Sequence, residues 1–550
     1  MLKVVTSEEM REIDRLTTER YGIPSILLME NAANAAARVI AEKLGGSVKG
    51  KSFLILCGKG NNGGDGAALA RILWTQGASV QVNLLGKLEE TKGDARINFE
   101  ICKNIYDKID KGIRLLFFEY QGNNWINEIY AGGGRIVIDA LFGTGLSRSI
   151  KGQIKEFVEK VNSYKNPYSS KNPYFKLQYL ISLDIPSGLD SNLSDRIGEN
   201  IQAHITITFT APKLANLLPP ASNYNGELVV ANIGSPQELI DNSPSKLFVA
   251  EKQDAQDWLN QTEYTSDSYK NKRGHALLIV GSKEYTGAAV LSGNAAMLSG
   301  VGLTTIATSE SAREAIAAKI LEEIIVRGLP ETKNGTVAKK AFAEVEKLIE
   351  KVDVVGIGCG LTSTEKTTRD FVREVVENRK TPVVIDADGL NALSPFELKG
   401  NDELPLILTP HEGEFLRLLG TKDKDAIKDR VKAMRDFAEA HEVILVLKGE
   451  RVLIAAPDGR VVINPTGNSG LGKAGNGDTL TGIITGFVAQ AVQMKVDIFE
   501  TVVAAIYISS LAGDIAAAKF GKRTMLASDV RECLGEAFES MSELTITNYE

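Results

Sequence analysis

Short runs of Val, Ile and Leu, apolar on both faces, alternate along this chain with stretches whose apolar residues recur at helical spacing. In the first half the runs are Phe53 to Cys57, Val80 to Leu85, Arg114 to Phe118, Ile136 to Ile138, Leu180 to Leu183, Ile205 to Phe209 and Leu228 to Ile233. Strands buried on both faces and separated by helices predict a mostly parallel sheet covered on both sides. Thr6-Ser7-Glu8-Glu9 has the form of a capping box for a first helix ending near Tyr21-Gly22-Ile23-Pro24, and a second helix is expected from Met29 to Leu44. Between Ser163 and Phe175 the chain turns polar and repeats Lys-Asn-Pro-Tyr, which predicts a surface insertion.

From Ser235 to Arg273 the strand pattern lapses, with Pro236, Asn242-Ser243-Pro244 and a polar run from Gln261 to Lys272. This places a domain boundary near 240 to 246, giving domains 1–242 and 243–550. The alternation then resumes at His275 to Gly281, Leu303 to Ala307, Val352 to Ile357, Val383 to Ile385, Leu406 to Leu408, Val443 to Leu447, Val452 to Ala455 and Val461 to Ile463. Three closing helices are expected at about 477–493, 499–519 and 526–541. The fold class is α/β in both halves.

Composition narrows the function classes. A chain of 550 residues with 43% hydrophobic and 24% charged residues has the make-up of a globular protein able to bury two cores. Its 63 basic residues are interspersed with 70 acidic ones, net −7, so no nucleic-acid or membrane surface is expected and any anion must be held locally. Cys57, Cys102, Cys359 and Cys533 lie far apart, which fits buried thiols and a reducing cytoplasm. The first fifteen residues lack an apolar leader, and no eighteen consecutive apolar residues occur, so a cytoplasmic protein without a membrane span is expected.

Candidate chemistry clusters at two glycine-rich segments. Gly467 to Gly482 sets a long turn and one carboxylate, Asp478, at the mouth of an apolar helix. Converging backbone N–H groups and the helix N-terminus suit phosphate, and Asp478 stands where it could take a proton from a hydroxyl. Lys448-Gly449 and Thr409-Pro410-His411-Glu412-Gly413-Glu414 each follow a strand, and Lys448 and Lys473 could assist with charge. His411 is either a site residue or a satisfied structural histidine. No Gly-x4-Gly-Lys-[Ser/Thr] string is present, so a P-loop is excluded.

Upstream, Gly58-x-Gly60-x-x-Gly63 follows a strand and fits the dinucleotide fingerprint, with a helix expected from Gly66 to about Gln76. The next strand runs into Gly86-Lys87 rather than an acid, which argues against an ordinary Rossmann dehydrogenase. Asp139 and Asp184 end two further strands, each before a Gly/Ser-rich turn, and with Asp65 they could converge at the carboxyl edge of the sheet. The alternative is that these acids cap helices and turns.

Three strings, Asn61-Asn62-Gly63-Gly64-Asp65-Gly66, Asp139-Ala140-Leu141-Phe142-Gly143-Thr144-Gly145-Leu146 and Leu183-Asp184-Ile185-Pro186-Ser187-Gly188, resemble the motifs of NAD(P)H-hydrate epimerases. The resemblance implies a Rossmann-like α/β/α sandwich in which Asn61, Asn62, Gly63, Gly64 and Asp65, with Gly143, Thr144, Gly145, Leu146, Ser147, Arg148 and Ser149, hold the dinucleotide. It makes Asp184 the acid/base at the hydrated carbon and Asn62, Asp139 and Ser187 ligands of potassium, a hard cation suited to oxygen donors.

The second half resembles the NAD(P)H-hydrate dehydratase branch of the ribokinase-like fold over nearly all of 275–540. The strings are Gly281-Ser282 with Tyr285-x-Gly287-Ala288, Gly358-Cys359-Gly360-Leu361, Asp386-Ala387-Asp388-Gly389-Leu390-Asn391, Thr409-Pro410-His411-x-Gly413-Glu414 and the turn before Asp478. Cys359, Gly389 and Asn476 depart from the commoner residues at their positions. By this resemblance Asp478 is the base, and Gly360, His411, Glu414, Lys448, Gly449, Asn468, Ser469, Gly470, Leu471, Gly472, Lys473, Ala474, Gly475, Asn476 and Gly477 bind ligands. The implied ligands are NADHX or NADPHX and ADP with Mg²⁺, and a homo-oligomer is expected. The competing expectation is a ribokinase-like small-molecule kinase with a non-catalytic amino-terminal binding module.

Overall fold

The computed structural model describes residues 1–108, 115–120, 136–165 and 178–542. The chain forms two compact units, Lys3–Ser245 and Lys246–Glu550 with Met1–Leu2. The helix Gly152–Lys165 leads towards the polar insertion expected at 163–175, of which 166–175 lies outside the described residues, as does Arg114 at the start of one expected strand.

In Lys3–Ser245 seven strands run parallel in the order Leu115–Tyr120, Ser79–Leu85, Ser52–Cys57, Ile136–Ala140, Tyr179–Leu183, Ile205–Phe209, Glu227–Ala231. The strand following Ser52–Cys57 pairs on one side of it and Ile136–Ala140 on the other, so the sequence order reverses there and opens a crevice at the carboxyl edge. Ser7–Tyr21 is capped as expected: the Thr6 hydroxyl accepts from Glu9 N, Glu9 accepts from Thr6 N, and Gly22 stops the helix at φ 69°. The second helix starts earlier than its apolar pattern implied, at Ser25, and ends at Lys43.

The segment expected to be a glycine turn up to Gly66 is helical from Asn61, in Asn61–Thr75. Packing supplies the reason. A methyl at Gly63 would stand 1.8 Å from the Gly58 carbonyl oxygen, one at Gly64 2.7 Å from the Ala95 backbone, and one at Gly66 2.7 Å from the Ala140 side chain. These glycines let a helix lie on its own strand.

Among the described residues the sheet of the second unit has eleven strands, in the order Ile325–Leu329, Leu303–Ser309, His275–Ile279, Val354–Ile357, Val383–Ile385, Leu406–Leu408, Ile444–Leu447, Leu453–Ala455, Val461–Ile463, Leu247–Val249, Leu2–Lys3. Pairing is parallel up to Ile444–Leu447, then antiparallel through Leu453–Ala455 to Val461–Ile463. Helix Asn476–Met494 packs against Thr286–Leu298 so closely that a methyl at Gly482 would meet the Ser292 carbonyl oxygen at 2.1 Å. Ile498–Phe520 is long and apolar enough to cross a membrane, but its apolar side chains, Val502, Ile506 and Ala512 among them, lie buried in the core of this unit. The helix expected at 526–541 is two, Ala527–Glu532 and Leu534–Met541, parted at Cys533, where Gly535 two residues on weakens helical preference.

Candidate functional site

The first crevice is a cavity of about 680 Å³ at the carboxyl edge of the seven-stranded sheet. Gly60, Asn61, Asn62 and Asp65 bring the start of helix Asn61–Thr75 into its wall, Leu141 to Leu146 bring the turn after Ile136–Ala140, and Asp184, Lys213, Met10, Arg11 and Asp14 complete it. The helix has no side-chain cap, so its first-turn N–H groups are available to an anion.

Asp184 ends its strand in the left-handed region, φ 64°, where its N–H donates to the Ile207 carbonyl at 2.7 Å. That strained turn aims the carboxylate into the cavity, against Gly143, where an added methyl would stand 3.0 Å from Asp184 Oδ2 and 3.3 Å from Asn62 Cβ. Its Oδ1 accepts from Lys213 Nζ at 2.7 Å and Thr208 Oγ1 at 3.3 Å, and its Oδ2 from Thr144 N at 3.2 Å. The Lys213 side chain is 1% exposed and also donates to Thr208 Oγ1 and the Phe209 carbonyl. Burial holds Asp65 well above the ordinary carboxylate range, and the charges of Asp184 and Asp14 add to it.

Asp139 lies beneath this wall, fully buried. Its carboxylate accepts from Ser182 Oγ at 2.8 Å, Ser187 N at 2.9 Å and Ser187 Oγ at 2.5 Å, while burial raises its pKa and these donors work against the rise. Asn62 is buried with neither side-chain oxygen nor nitrogen hydrogen-bonded among the described residues. An orphaned, buried amide oxygen is the kind of hard donor an alkali cation takes.

Placement separates the remaining candidates. Gly63 and Gly64 are buried behind the wall, and Ser147 and Arg148 are exposed. Ser149 lines a different, shallower concavity of about 540 Å³ with Lys151, Lys155 and Arg196, so the segment Ser147 to Ser149 does not meet Asp184 in one cavity. Lys213 and Asp14 were not singled out from sequence; neither sits in a motif, and folding alone brings them to Asp184.

The second site gathers at the carboxyl ends of the parallel strands of the other unit. Asn476–Met494 opens from Gly475 at φ 89°, which a side chain would strain, and presents Gly477 and Asp478 in its first turn. Burial raises Asp478 above the ordinary range; the Cys359 thiol hydrogen-bonds it and lowers it, Asp386 raises it, Lys448 lowers it and Asp388 raises it. Lys448 Nζ donates to Asp386 Oδ1 at 2.6 Å, and Thr481 Oγ1 donates to Asp386 Oδ2 at 2.8 Å. Burial lowers the Lys448 pKa, but the charges of Asp386 and Glu414 outweigh it and leave it raised. Asp388 accepts from Thr362 N, Ser363 N and Ser363 Oγ, tying the Gly358-Cys359-Gly360 turn to the next strand end. Asp386 lies within the 386–391 string, yet nothing in that string signals its pairing with Lys448, 62 residues on.

His411 acts as a helix cap. Its Nδ1 accepts from Gly413 N at 3.0 Å and Glu414 N at 3.4 Å, while its own N–H donates to Glu414 Oε2 at 2.9 Å. The Glu414 carboxylate is buried and His411 is 56% exposed. His411 and Lys448 are bridged as neighbours at the sheet edge, and Gly449 is exposed beyond them. Gly360, φ 68°, packs against Tyr285 and Ala288.

In the turn, Asn468 caps Ser469–Leu471 by accepting from Gly470 N and donates to the Gly513 carbonyl and to Asp514. Asn476 Nδ2 donates to the Leu471 and Lys473 carbonyls, fixing the loop before Asp478. Gly472 and Ala474 are exposed. The Lys473 ammonium donates to the Arg523 and Met525 carbonyls. Among the described residues no group of three or more His, Cys, Asp or Glu side chains is set to hold a metal.

Two family models match: one described as YjeF-related protein N-terminus over 25–215, one as NAD(P)H-hydrate dehydratase over 276–535. A protein of Moorella thermoacetica named bifunctional NAD(P)H-hydrate repair enzyme Nnr is 37% identical over 541 residues, covering 98% of this chain and 97% of its own. One of the same name from Thermofilum pendens is 32% identical over 544 residues, with 98% and 97% covered. A crystal structure of an ADP/ATP-dependent NAD(P)H-hydrate dehydratase from Bacillus subtilis with ATP and Mg²⁺ is 29% identical and covers 54% of this chain and 99% of its own, at a TM-score of 0.45.

Proposed function

The chain belongs to the bifunctional NAD(P)H-hydrate repair family, and from that membership we propose how its two sites divide the work. The amino-terminal half epimerises the R and S forms of NADHX and NADPHX, and the carboxy-terminal half dehydrates the S form at the expense of ADP. The observation that carries the reading is end-to-end similarity to relatives named for both activities, with Asp184 and Asp478 each set at a strand or helix end in its own unit.

Hydration leaves a hydroxyl on C6 of the nicotinamide ring. In the first site Asp184, held by Lys213, takes the hydroxyl proton, and the uncapped helix start at Asn61 receives the pyrophosphate. Asn62, Asp139 and Ser187 would hold potassium, which would offset the carboxylate charge beside that pyrophosphate.

In the second site hydroxide is too poor a leaving group to depart unaided. Asp478 removes the hydroxyl proton as the oxygen is phosphorylated, and the first-turn N–H groups of Asn476–Met494 receive phosphate charge. Phosphate then leaves with the C6–O electron pair as the N1 lone pair forms an iminium, after which loss of the C5 proton closes the C5–C6 double bond. Bound Mg²⁺ would neutralise charge developing on the transferred group. Lys448 orients Asp386, which in turn anchors Thr481 one turn beyond Asp478.

A mixture of R and S hydrates incubated with the full chain tests this reading. Full recovery of reduced cofactor with ADP is the expected result. Recovery of the S portion alone removes the epimerase assignment, and a stable phosphorylated product in place of reduced cofactor replaces the dehydratase with a kinase. Running ATP in parallel identifies the phosphoryl donor, and separate NADHX and NADPHX reactions give the preference. The protein acts on small molecules; a cytoplasmic location and a homo-oligomeric state belong to the same proposal, checked by cell fractionation and by mass measurement in solution.

A further inference from the structure

We propose that Asp14 is the second proton-transfer group of the amino-terminal site, partnering Asp184; this rests on the epimerase reading above. Asp14 belongs to Ser7–Tyr21, whose Met10, Arg11 and Asp14 line the cavity that Asp184 and Lys213 also line. The helix lies before the residues matched by the family model, 25–215. Asp14 Oδ1 is shielded from solvent and makes no hydrogen bond among the described residues. A shielded, unpartnered carboxyl oxygen carries a desolvation cost that a ligand donor or acceptor would relieve.

The charged groups lining the cavity with it are Asp184 after Tyr179–Leu183, Lys213 before Leu214–Leu217, Lys59 before and Asp65 within Asn61–Thr75, Asp94 in Gly93–Lys108, and Arg11 on its own helix; of these Asp184, Lys213 and Asp65 interact with it electrostatically. Burial pushes the Asp14 carboxyl up to about 6; Lys213 opposes the rise and Asp184 adds to it. Asp184, by contrast, has an ammonium at 2.7 Å. One carboxyl is therefore held as an acceptor while the other exchanges its proton near neutrality.

Epimerisation at a carbon bonded to both a hydroxyl and the ring nitrogen needs those two groups. Asp184 takes the hydroxyl proton, the C6–O bond becomes a carbonyl, the C6–N1 bond breaks with its electron pair going to N1, and N1 takes the proton of Asp14. Rotation about C5–C6 presents the other face of the carbonyl. N1 then attacks C6 and returns its proton to Asp14, and the oxygen recovers the proton held by Asp184. Both carboxyls end as they began, with nothing oxidised or reduced.

The test uses the full chain, its Asp14→Asn and Asp14→Glu variants, R-hydrate epimerisation across pH, and S-hydrate dehydration in the same samples as a folding control. In the wild type, kcat/KM for epimerisation is expected to fall as pH rises above about 6, because the acid must carry its proton. Asp14→Asn is expected to lose at least about 10²-fold in rate and to lose that alkaline limb, and Asp14→Glu to keep most of the rate with the limb displaced. An Asn variant within a few-fold of wild type, or a slower one whose limb is unmoved, overturns the proposal. A wild-type chain that fails to epimerise removes the activity assignment itself, an outcome no comparison of variants reproduces.

Discussion

In each half of the molecule a lysine grips a carboxylate, but the gripped carboxylate differs. Lys213 holds Asp184, the group assigned to take the hydroxyl proton in the amino-terminal site, whereas Lys448 holds Asp386 and leaves Asp478 to the Cys359 thiol and neighbouring acids. The contrast follows the chemistry. Asp184 is positioned by the Lys213 ammonium together with Thr208 and Thr144, fixed in place for a hydroxyl whose loss of a proton lets the ring open. Asp478, raised by burial and by like charges, binds its proton harder, which suits a base that must draw the proton from that same hydroxyl as its oxygen attacks phosphorus.

Exchange of the two aspartates gives the largest effect. Asp184→Asn is expected to remove epimerisation by about 10²- to 10⁴-fold while dehydration of pure S-hydrate continues, and Asp478→Asn to do the reverse. Assays with single epimers read both directly, and a variant that damages both activities equally breaks the division of labour.

The lysines sharpen the comparison next. Lys213→Met leaves Asp184 without its buried partner and should cost about 3–5 kcal/mol of stability, read by denaturant unfolding, together with lost epimerisation. Lys448→Met should cost less, since Lys448 is 21% exposed and Thr481 still serves Asp386. Equal losses would mean that the two clamps are interchangeable.

Replacing potassium with a bulky organic cation should slow epimerisation several-fold and leave dehydration unchanged, because the orphaned Asn62 oxygen and Asp139 belong to one site alone. Slowing of both reactions would detach the cation from that site.

The smallest effect is on thermal stability against pH. Asp14 titrates at about 6 when folded against about 4 in the unfolded chain. Between those values the folded state binds more protons, so this group lowers stability as pH rises through the window, and the penalty is complete above it. Asp14→Asn should flatten the Tm profile between about pH 4 and 6; an unchanged slope would show that the carboxyl is not held as described.

Much of this architecture is legible from the residues. The apolar runs at Ile205–Phe209, Val383–Ile385, Leu406–Leu408 and Val461–Ile463 are strands at the positions their pattern implies. Leu247–Val249 and Ile325–Leu329 escaped because they are partly exposed, the latter an edge strand broken by Arg327 and Gly328, so no continuous apolar run marks them. Glycines mislead in one half and guide in the other. Those at 63, 64 and 66 answer to crowding inside a helix, whereas Gly475 does bend the backbone ahead of Asp478. Side chains that meet across the chain were the least legible: Lys213 reaches Asp184 from 29 residues away and Lys448 reaches Asp386 from 62, distances over which spacing carries no signal.

All four thiols are sealed inside, and burial raises each one's hold on its proton: Cys57, Cys102, Cys359 and Cys533. Alkylating reagents and peroxide act on thiolate, and here almost none is presented. The native protein should therefore tolerate purification and storage in air without added reductant, and labelling with a maleimide should report unfolding rather than surface reactivity.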